Sequence, residues 1–177
     1  MRYKKLIEID IDLLTQCLIR TKDNKIVKTE VKEINTQHYN FKDWEFNWIE
    51  ESKKRNKILG LFAENDKRLQ GIVEYYENRE RQLLEVILIE IAPFNNRHNP
   101  KNFLKSKEYL GVGGHLFAEI ARISFEKGYD GYVSFLAKTN LIEHYKKTLG
   151  AKQLSYIEMY IDDEAAMKLV KKYYSEN

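Results

Sequence analysis

The chain is poor in the residues that mark several classes of protein. Its single cysteine, Cys17, excludes an intrachain disulfide framework and any multi-cysteine metal site. Only two prolines and eight glycines punctuate its 177 residues, and no linker-like stretch divides them, so we expect a single domain over residues 1–177. No apolar run reaches the roughly 18 residues that a membrane-spanning helix needs, so no membrane partner is expected.

Basic and acidic residues are nearly balanced. The 30 basic and 27 acidic residues leave a net charge of +3, which is too small to indicate nucleic acid as the main partner. The basic start of the chain does not read as a secretory signal, because Glu8, Asp10 and Asp12 interrupt the apolar residues that follow. A cytoplasmic protein is therefore expected.

Apolar residues make up 43% of the chain, which is enough for one sizeable core. Their spacing predicts an N-terminal hairpin over residues 12–35 around the tip Lys22-Asp23-Asn24-Lys25, and a short helix capped by Asp43. Further strands are expected over residues 58–63, 69–76, 83–92, 132–137 and 152–161, and helices over 111–127, 140–149 and from Asp162 onward. This order predicts a mixed α/β arrangement around one sheet.

The glycine cluster Gly111-Val112-Gly113-Gly114 opens the most regular of these helices and is a candidate anion site. Glycines let backbone amides approach phosphate oxygens, and the first amides of a helix have no internal partner. A dinucleotide-binding loop would need glycine where Leu116 stands, and a P-loop would need Gly-Lys-Ser/Thr. A glycine-rich helix start without any ligand remains the alternative.

Three segments together carry a family resemblance. The segment from Glu108 to Leu116 resembles the Arg/Gln-x-x-Gly-x-Gly-x-x-Leu motif of the GNAT superfamily of N-acetyltransferases. Ile91-Ala92-Pro93 resembles the strand end before that motif, and residues 141–151 resemble the family's helix with its tyrosine followed by Leu-Gly. The resemblance covers Ile58 to Tyr160 in the right order. It implies a central mixed, mostly antiparallel sheet flanked by helices, with a V-shaped splay between two central strands.

The resemblance further implies transfer of an acetyl group from acetyl-CoA, as a co-substrate, directly to an amine. Backbone groups of the strand that ends at Ile91 would pair with the pantetheine, and the glycine-loop amides would hold the pyrophosphate. Lys138 and Asn140 lie near the position of the family's usual asparagine. The residues implied for acetyl-CoA binding are Ile89, Ile91, Gly111, Val112, Gly113, Gly114, Lys138 and Asn140. No metal is expected, since the four histidines show no metal-ligand spacing.

Two residues match catalytic positions of the family. Tyr145 matches the proton donor to the coenzyme A thiolate, with a packing tyrosine as the alternative. Glu85 matches a general-base glutamate, and burial would raise its pKa into a useful range; the alternative is a solvent-facing or lysine-paired carboxylate. Glu90 is a weaker candidate for the same role. His144 and His115 are less favoured, the latter as a residue that only touches phosphate.

The chain also departs from the family. Glu108 stands where Arg or Gln is usual, so Lys105 or Lys107 is expected to supply positive charge at the pyrophosphate. The N-terminal hairpin and the final helix are unusual. The acceptor, a small molecule or a protein or peptide amine, is not identified, and pairing of exposed sheet edges would give a homodimer. Two other functions stay open: an acyl-CoA-sensing module without catalysis, and a protein-interaction role for the hairpin with residues 39–48.

Overall fold

The computed structural model describes residues 5–175. Its strands in this range are β1 (Leu18–Arg20), β2 (Lys25–Val27), β3 (Thr29–Glu33), β4 (Lys57–Ala63), β5 (Leu69–Asn78), β6 (Leu83–Ile91), β7 (Tyr109–Leu110), β8 (Val133–Leu136), β9 (Lys152–Gln153) and β10 (Glu158–Ile161). Its helices are α1 (Trp48–Ser52), α2 (Val112–Glu126), α3 (Ile142–Leu149) and α4 (Asp163–Tyr174). None of the helices within the described range is both long and apolar enough to span a membrane.

Seven strands form the main sheet, in the order β3-β4-β5-β6-β8-β10-β9. Every neighbouring pair is antiparallel except β6 and β8, which run parallel. The β5–β6 hairpin forms as its polar turn and apolar strands predict, with Val73 opposite Ile89. The sheet is therefore mixed and mostly antiparallel, as the sequence resemblance implies.

The parallel pair β6–β8 is joined over two residue pairs only, Leu84 with Val133 and Glu85 with Ser134. Just beyond, the register of β6 against β5 shifts, which leaves Ile87 without an opposite residue. Such a bulge bends a strand and increases its twist. From this point β6 and β8 diverge without pairing, which confirms the expected splay.

Both faces of the sheet are covered by apolar side chains. Helix α2 packs on β5, β6 and β8, and α4 packs on α2. The buried residues Leu116, Phe117 and Ile120 of α2 recur at helical spacing, as predicted. On the opposite face, Trp48 of α1 lies in a smaller cluster with Leu88 of β6. Each such buried side chain stabilises the fold by about 1.5–3 kcal/mol.

An extended segment at the start of the chain, residues 5–15, enters the splay; we call it the N-terminal segment. The amide of Ile7 donates to the carbonyl of Leu136 at 2.6 Å, and the amide of Lys138 donates to the carbonyl of Ile7 at 3.0 Å. Ile7 thereby forms a parallel bridge with Ala137, at the edge of β8 that β6 has left. Ile7, Ile9 and Ile11 are buried, and the acidic residues between them are not.

Three local predictions need correction. The helix expected from Asp43 begins at Trp48 and is capped by Asn47, because the carboxylate of Glu90 instead accepts the amides of Glu45 and Phe46. The strand expected over residues 152–161 is interrupted by a turn and becomes β9 and β10.

The third correction concerns the N-terminal hairpin. Its turn lies at the expected tip, but only β1 and β2 form it, and they pair in a separate small sheet with β7. Strand β3 leaves the hairpin and becomes the edge of the main sheet, where Val31 pairs opposite Leu61 of β4.

Candidate functional site

A cavity of about 400 Å³ lies in the splay, between β6 and the N-terminal segment. Residues 89–91 of β6 form one wall and residues 8–10 form the other. Lys138 and Asn140, from the turn after β8, also line it. The four residues outside the glycine loop that the sequence assigned to acetyl-CoA binding, including Ile89 and Ile91, therefore surround one cavity.

The backbone edge of β6 toward this cavity is not used by the N-terminal segment. Within residues 5–175, no backbone hydrogen bond joins that segment to β6, although two join it to the end of β8 around Ile7. A strand edge in this state presents amide and carbonyl groups to any ligand that can pair with them.

Glu90 is the buried carboxylate of the cavity, with 2% of its surface exposed. One oxygen accepts from the indole of Trp48 at 2.9 Å and from the amide of Phe46 at 3.2 Å, and the other accepts from the amide of Glu45 at 2.7 Å. Burial raises the pKa of Glu90 above its ordinary value, against the lowering effect of these donors. Because a carboxylate oxygen has two lone pairs, the oxygen bonded to Glu45 can accept a second proton donor.

Glu85 lies at the other end of β6, where β6 and β8 are still paired. Its carboxylate accepts from Asn78 at 3.0 Å and pairs with Arg81 at 3.1 Å. Four residues of strand, about 13 Å, separate it from Ile89, and it does not line the cavity. In this geometry Glu85 fits the ion-paired alternative, whereas Glu90 is a buried carboxylate that does line the cavity.

Tyr145 is fully buried on α3, and its ring packs edge-on against Phe135 of β8. Its hydroxyl donates to the backbone carbonyl of Ile9 at 2.6 Å. Burial raises the pKa of Tyr145, so the hydroxyl is protonated at neutral pH and remains a donor. The structure thus directs this hydroxyl into the splay, where its present acceptor belongs to the N-terminal segment.

The glycine loop binds an anion that the chain itself provides. Gly111 is the N-cap residue of α2 and has a φ of +93°, and as a glycine it has no side chain with which to cap the helix. The amide of Gly111 donates to one carboxylate oxygen of Asp12 at 3.2 Å. The ammonium of Lys107, which is almost fully buried, lies 3.0 Å from the other oxygen. Lys107, one of the two lysines expected to supply positive charge at the pyrophosphate, therefore lies beside the glycine loop.

Glu108 points away from this site. It forms an ion pair with Arg68 at 2.6 Å on the outer surface. Arg68 also pairs with Asp66, and these two acidic partners raise the pKa of its guanidinium. The acidic residue in the family's usual Arg/Gln position is thereby neutralised and does not face the anion held by Gly111.

The loop is covered by neighbouring parts of the chain, and its glycines permit that close approach. A Cβ at Gly111 would lie 2.2 Å from the hydroxyl of Thr15, and one at Gly114 would lie 2.3 Å from the hydroxyl of Tyr173 on α4. A Cβ at Gly113 would lie 3.0 Å from Ile9. Gly111–Gly114 are consequently all buried in this conformation.

His115 and His144, the two histidines considered as site residues, have different surroundings. His115 is buried, its Nε2 lies 2.6 Å from the hydroxyl of Thr29, and its ring stacks on Tyr173. Burial lowers the pKa of His115 to about 4, so it is neutral and packed between Thr29 and Tyr173. His144 Nε2 accepts from the amide of Ile11 at 2.9 Å and therefore holds the N-terminal segment.

Cys17 is half-buried beside the β1 strand. Among residues 5–175, no group of three or more His, Cys, Asp or Glu side chains is placed to hold a metal ion.

The sequence analysis missed the N-terminal segment. The sequence does contain a pattern that predicts it. Apolar and acidic residues alternate strictly in Ile7-Glu8-Ile9-Asp10-Ile11-Asp12, which is typical of a half-buried strand. The acidic residues were interpreted only as interruptions of a signal peptide. Glu8 and Asp10 lie on the more exposed side of an extended segment, and the next acid, Asp12, binds the glycine loop.

Comparison with known proteins gives structural relatives only. No protein-family profile matches the chain, and no curated protein matches it. A bacterial toxin crystal structure is similar over 86% of this chain and all of the toxin chain, with 11% identity and a TM-score of 0.54. At that identity the similarity shows the fold alone.

Two acetyltransferase structures resemble the chain less strongly. One is a Bacillus subtilis acetyltransferase in complex with CoA, with 15% identity and a TM-score of 0.47 over 77% of this chain and 98% of the other. The second is a spermidine N-acetyltransferase chimera from Vibrio cholerae and hSSAT, with 15% identity and a TM-score of 0.45 over 78% of this chain and 98% of the other.

Proposed function

We propose that the protein is an acetyl-CoA-dependent N-acetyltransferase that uses the splay between β6 and β8 as its cofactor cleft. The observation that carries this proposal is the cavity at the splay, which brings Ile89, Ile91, Lys138 and Asn140 together beside a free edge of β6. The geometry agrees with the assignment that these residues received from their resemblance to the GNAT motifs.

The chemistry of the glycine loop fits the phosphates of coenzyme A. The amide of Gly111 and the ammonium of Lys107 already bind a carboxylate, the side chain of Asp12, which stands in for a phosphate oxygen. The amides at the start of α2 add a favourable field for an anion, worth about 0.3–1 kcal/mol and more where partly buried. Occupation by coenzyme A requires that Asp12 leave.

Bound acetyl-CoA would supply an acetyl group activated as a thioester, so this chain needs no nucleophilic side chain of its own. Glu90 is placed to accept a proton from an incoming ammonium, directly or through water, because burial raises its pKa and one of its oxygens has free acceptor capacity. Tyr145 would donate a proton to the departing coenzyme A thiolate, since its hydroxyl is protonated and points toward the N-terminal segment in the splay. The edge of β6 orients the reacting carbonyl.

A second function is favoured by one observation. The N-terminal segment takes both the donor of Tyr145 and the amide of Gly111, so the chain has a stable conformation in which the cleft is partly filled. Such a chain suits a binding module that senses acyl-CoA without turnover. The segment would then report ligand occupancy.

Two assays separate these functions. Thermal stabilisation by acetyl-CoA is expected for both, with about 2.7 kcal/mol at a ligand concentration 100 times the Kd. Release of free thiol from acetyl-CoA in the presence of a panel of small amines and peptides is expected only for the transferase. Stabilisation without thiol release for any amine would favour the sensing module, and no stabilisation would contradict both.

A further inference from the structure

We infer that the N-terminal segment is a built-in competitor of acetyl-CoA, with the carboxylate of Asp12 in the place of a cofactor phosphate. The inference rests on the proposed function and names a regulation of that same cleft. It predicts that the chain exists in a closed form, described above, and an open form in which the segment has left the splay.

The segment fills the cleft at three levels. At the glycine loop, Asp12 bonds the amide of Gly111 and pairs with Lys107. In the middle, the carbonyl of Ile9 accepts the hydroxyl of Tyr145. At the far end, Ile7 bridges to β8. Each contact uses a group that the proposed function assigns to the cofactor or lies on the strand edge beside it.

The same contacts show why the segment can leave. Ile7 makes a single bridge, and the rest of the segment has no backbone ladder with either β6 or β8 in the described range. Its outer side chains form ion pairs that are substantially exposed, such as Glu8 with Lys138, and exposed pairs stabilise little. Opening therefore breaks few backbone hydrogen bonds, and its main cost is the exposure of Ile7, Ile9 and Ile11, which are buried in the closed form.

Competition has a defined effect on affinity. The apparent Kd for acetyl-CoA equals the intrinsic Kd divided by the fraction of molecules that are open. Loosening the closed form therefore tightens binding, although no cofactor contact is added. A purely structural segment would have the opposite effect or none.

The first variant is Asp12→Ala, which removes the carboxylate from Gly111 and Lys107. Isothermal titration of the full chain with acetyl-CoA is expected to give a Kd about tenfold lower than that of the wild type, or about 1.4 kcal/mol. The matched control is Asp130→Asn, an exposed residue beyond the other end of α2, with a φ of +53° that asparagine tolerates. Its Kd is expected to equal the wild-type value.

The second variant holds the segment closed. Ile7→Cys with Ala137→Cys places two thiols at bridge partners, which is within disulfide reach, and Cys17→Ser removes the other cysteine. The oxidised protein is expected to lose acetyl-CoA binding, and a reductant is expected to restore it. Because one sample is compared in two redox states, misfolding of the variant does not imitate this result.

The outcomes are distinguishable. The inference is supported if Asp12→Ala has a lower Kd for acetyl-CoA than the wild type and the double-cysteine variant binds acetyl-CoA only when it is reduced. Equal affinities for wild type and Asp12→Ala, with an oxidised lock that still binds, overturn it and leave the proposed function intact. No binding by the wild type, by Asp12→Ala or by the reduced lock overturns the proposed function, and the inference with it.

Discussion

The carboxylate of Asp12 accepts the amide of Gly111 at 3.2 Å, so the first residue of the glycine loop binds an acid from the start of the chain. These residues are 99 positions apart in sequence, and the extended N-terminal segment brings them together. In this conformation the first amide of the loop therefore binds a carboxylate of the chain itself.

Tyr145→Phe tests the proton donor. We expect turnover with an amine to fall by about tenfold or more, while the Kd for acetyl-CoA stays equal or decreases, because the variant also frees the carbonyl of Ile9. The matched control is Tyr156→Phe, whose ring is 79% exposed. Steady-state kinetics at saturating acetyl-CoA measure the effect, and wild-type turnover would remove Tyr145 from the mechanism.

Glu90→Gln and Glu85→Gln together identify the base. Glu90 lines the cavity and Glu85 does not, so we expect Glu90→Gln to lower kcat and to abolish the acidic limb of the pH–rate profile. Glu85→Gln should keep that limb. The glutamine of Glu90→Gln cannot accept at both of its terminal atoms, so the amide of Glu45 or Phe46 loses its acceptor. This loss lowers the free energy of unfolding by about 1–3 kcal/mol, and the assays must therefore run well below the unfolding temperature. The reverse pattern would restore Glu85 as the base.

Glu74 gives a pH dependence of stability. It is fully buried on β5, and burial raises its pKa to about 7, with the facing carboxylate of Glu51 as a further cause. One oxygen of Glu74 has no hydrogen-bond partner among the described residues, which disfavours the charged form. Because its folded pKa exceeds its unfolded value, the stability from this group is full below pH about 4.5 and is lost as pH rises through about 7.

Glu74→Gln removes that titration. At pH 8 we expect the variant to be more stable than the wild type by about 1–3 kcal/mol and so to unfold at a higher temperature. At pH 4.5 we expect the two unfolding temperatures to be equal. Glu50→Gln, on the exposed side of α1, is the matched control and should show no such dependence. Thermal denaturation at both pH values measures this difference. If the unfolding temperatures of wild type and Glu74→Gln changed equally with pH, the raised pKa of Glu74 would be contradicted.

Gly114→Ala tests the packing of α4 on the glycine loop. The new Cβ would lie 2.3 Å from the hydroxyl of Tyr173, so we expect a loss of about 1–3 kcal/mol in the free energy of unfolding. Tyr173→Phe removes that oxygen. In a double-mutant cycle by urea denaturation, the double variant should lose less than the sum of the single variants; additive losses would show that the two residues are not in contact.

The sequence predicted the sheet well where periodicity and turns agree. The β5–β6 hairpin has apolar strands around a very polar turn, and α2 has helical spacing with Leu116 and Ile120, so local signals determine both. The helix expected at Asp43 failed because a distant carboxylate, Glu90, takes the local amides. No local pattern contains that contact.

The site was only partly predictable for a similar reason. The residues that line the cavity follow from strand order and motif, as Ile91 and Asn140 do. That Glu85 lies outside the cavity could not be predicted, because motif spacing does not reveal where two parallel strands diverge. The bulge at Ile87 determines that point, and it arises from the register between β5 and β6.

Amide hydrogen exchange of the full chain, with and without acetyl-CoA, tests most directly whether the splay is the acyl-CoA cleft. The account predicts faster exchange over residues 5–12, as the N-terminal segment leaves, and slower exchange over residues 86–91 and 111–114, where the cofactor binds. Unchanged exchange in all three regions at saturating acetyl-CoA would contradict it.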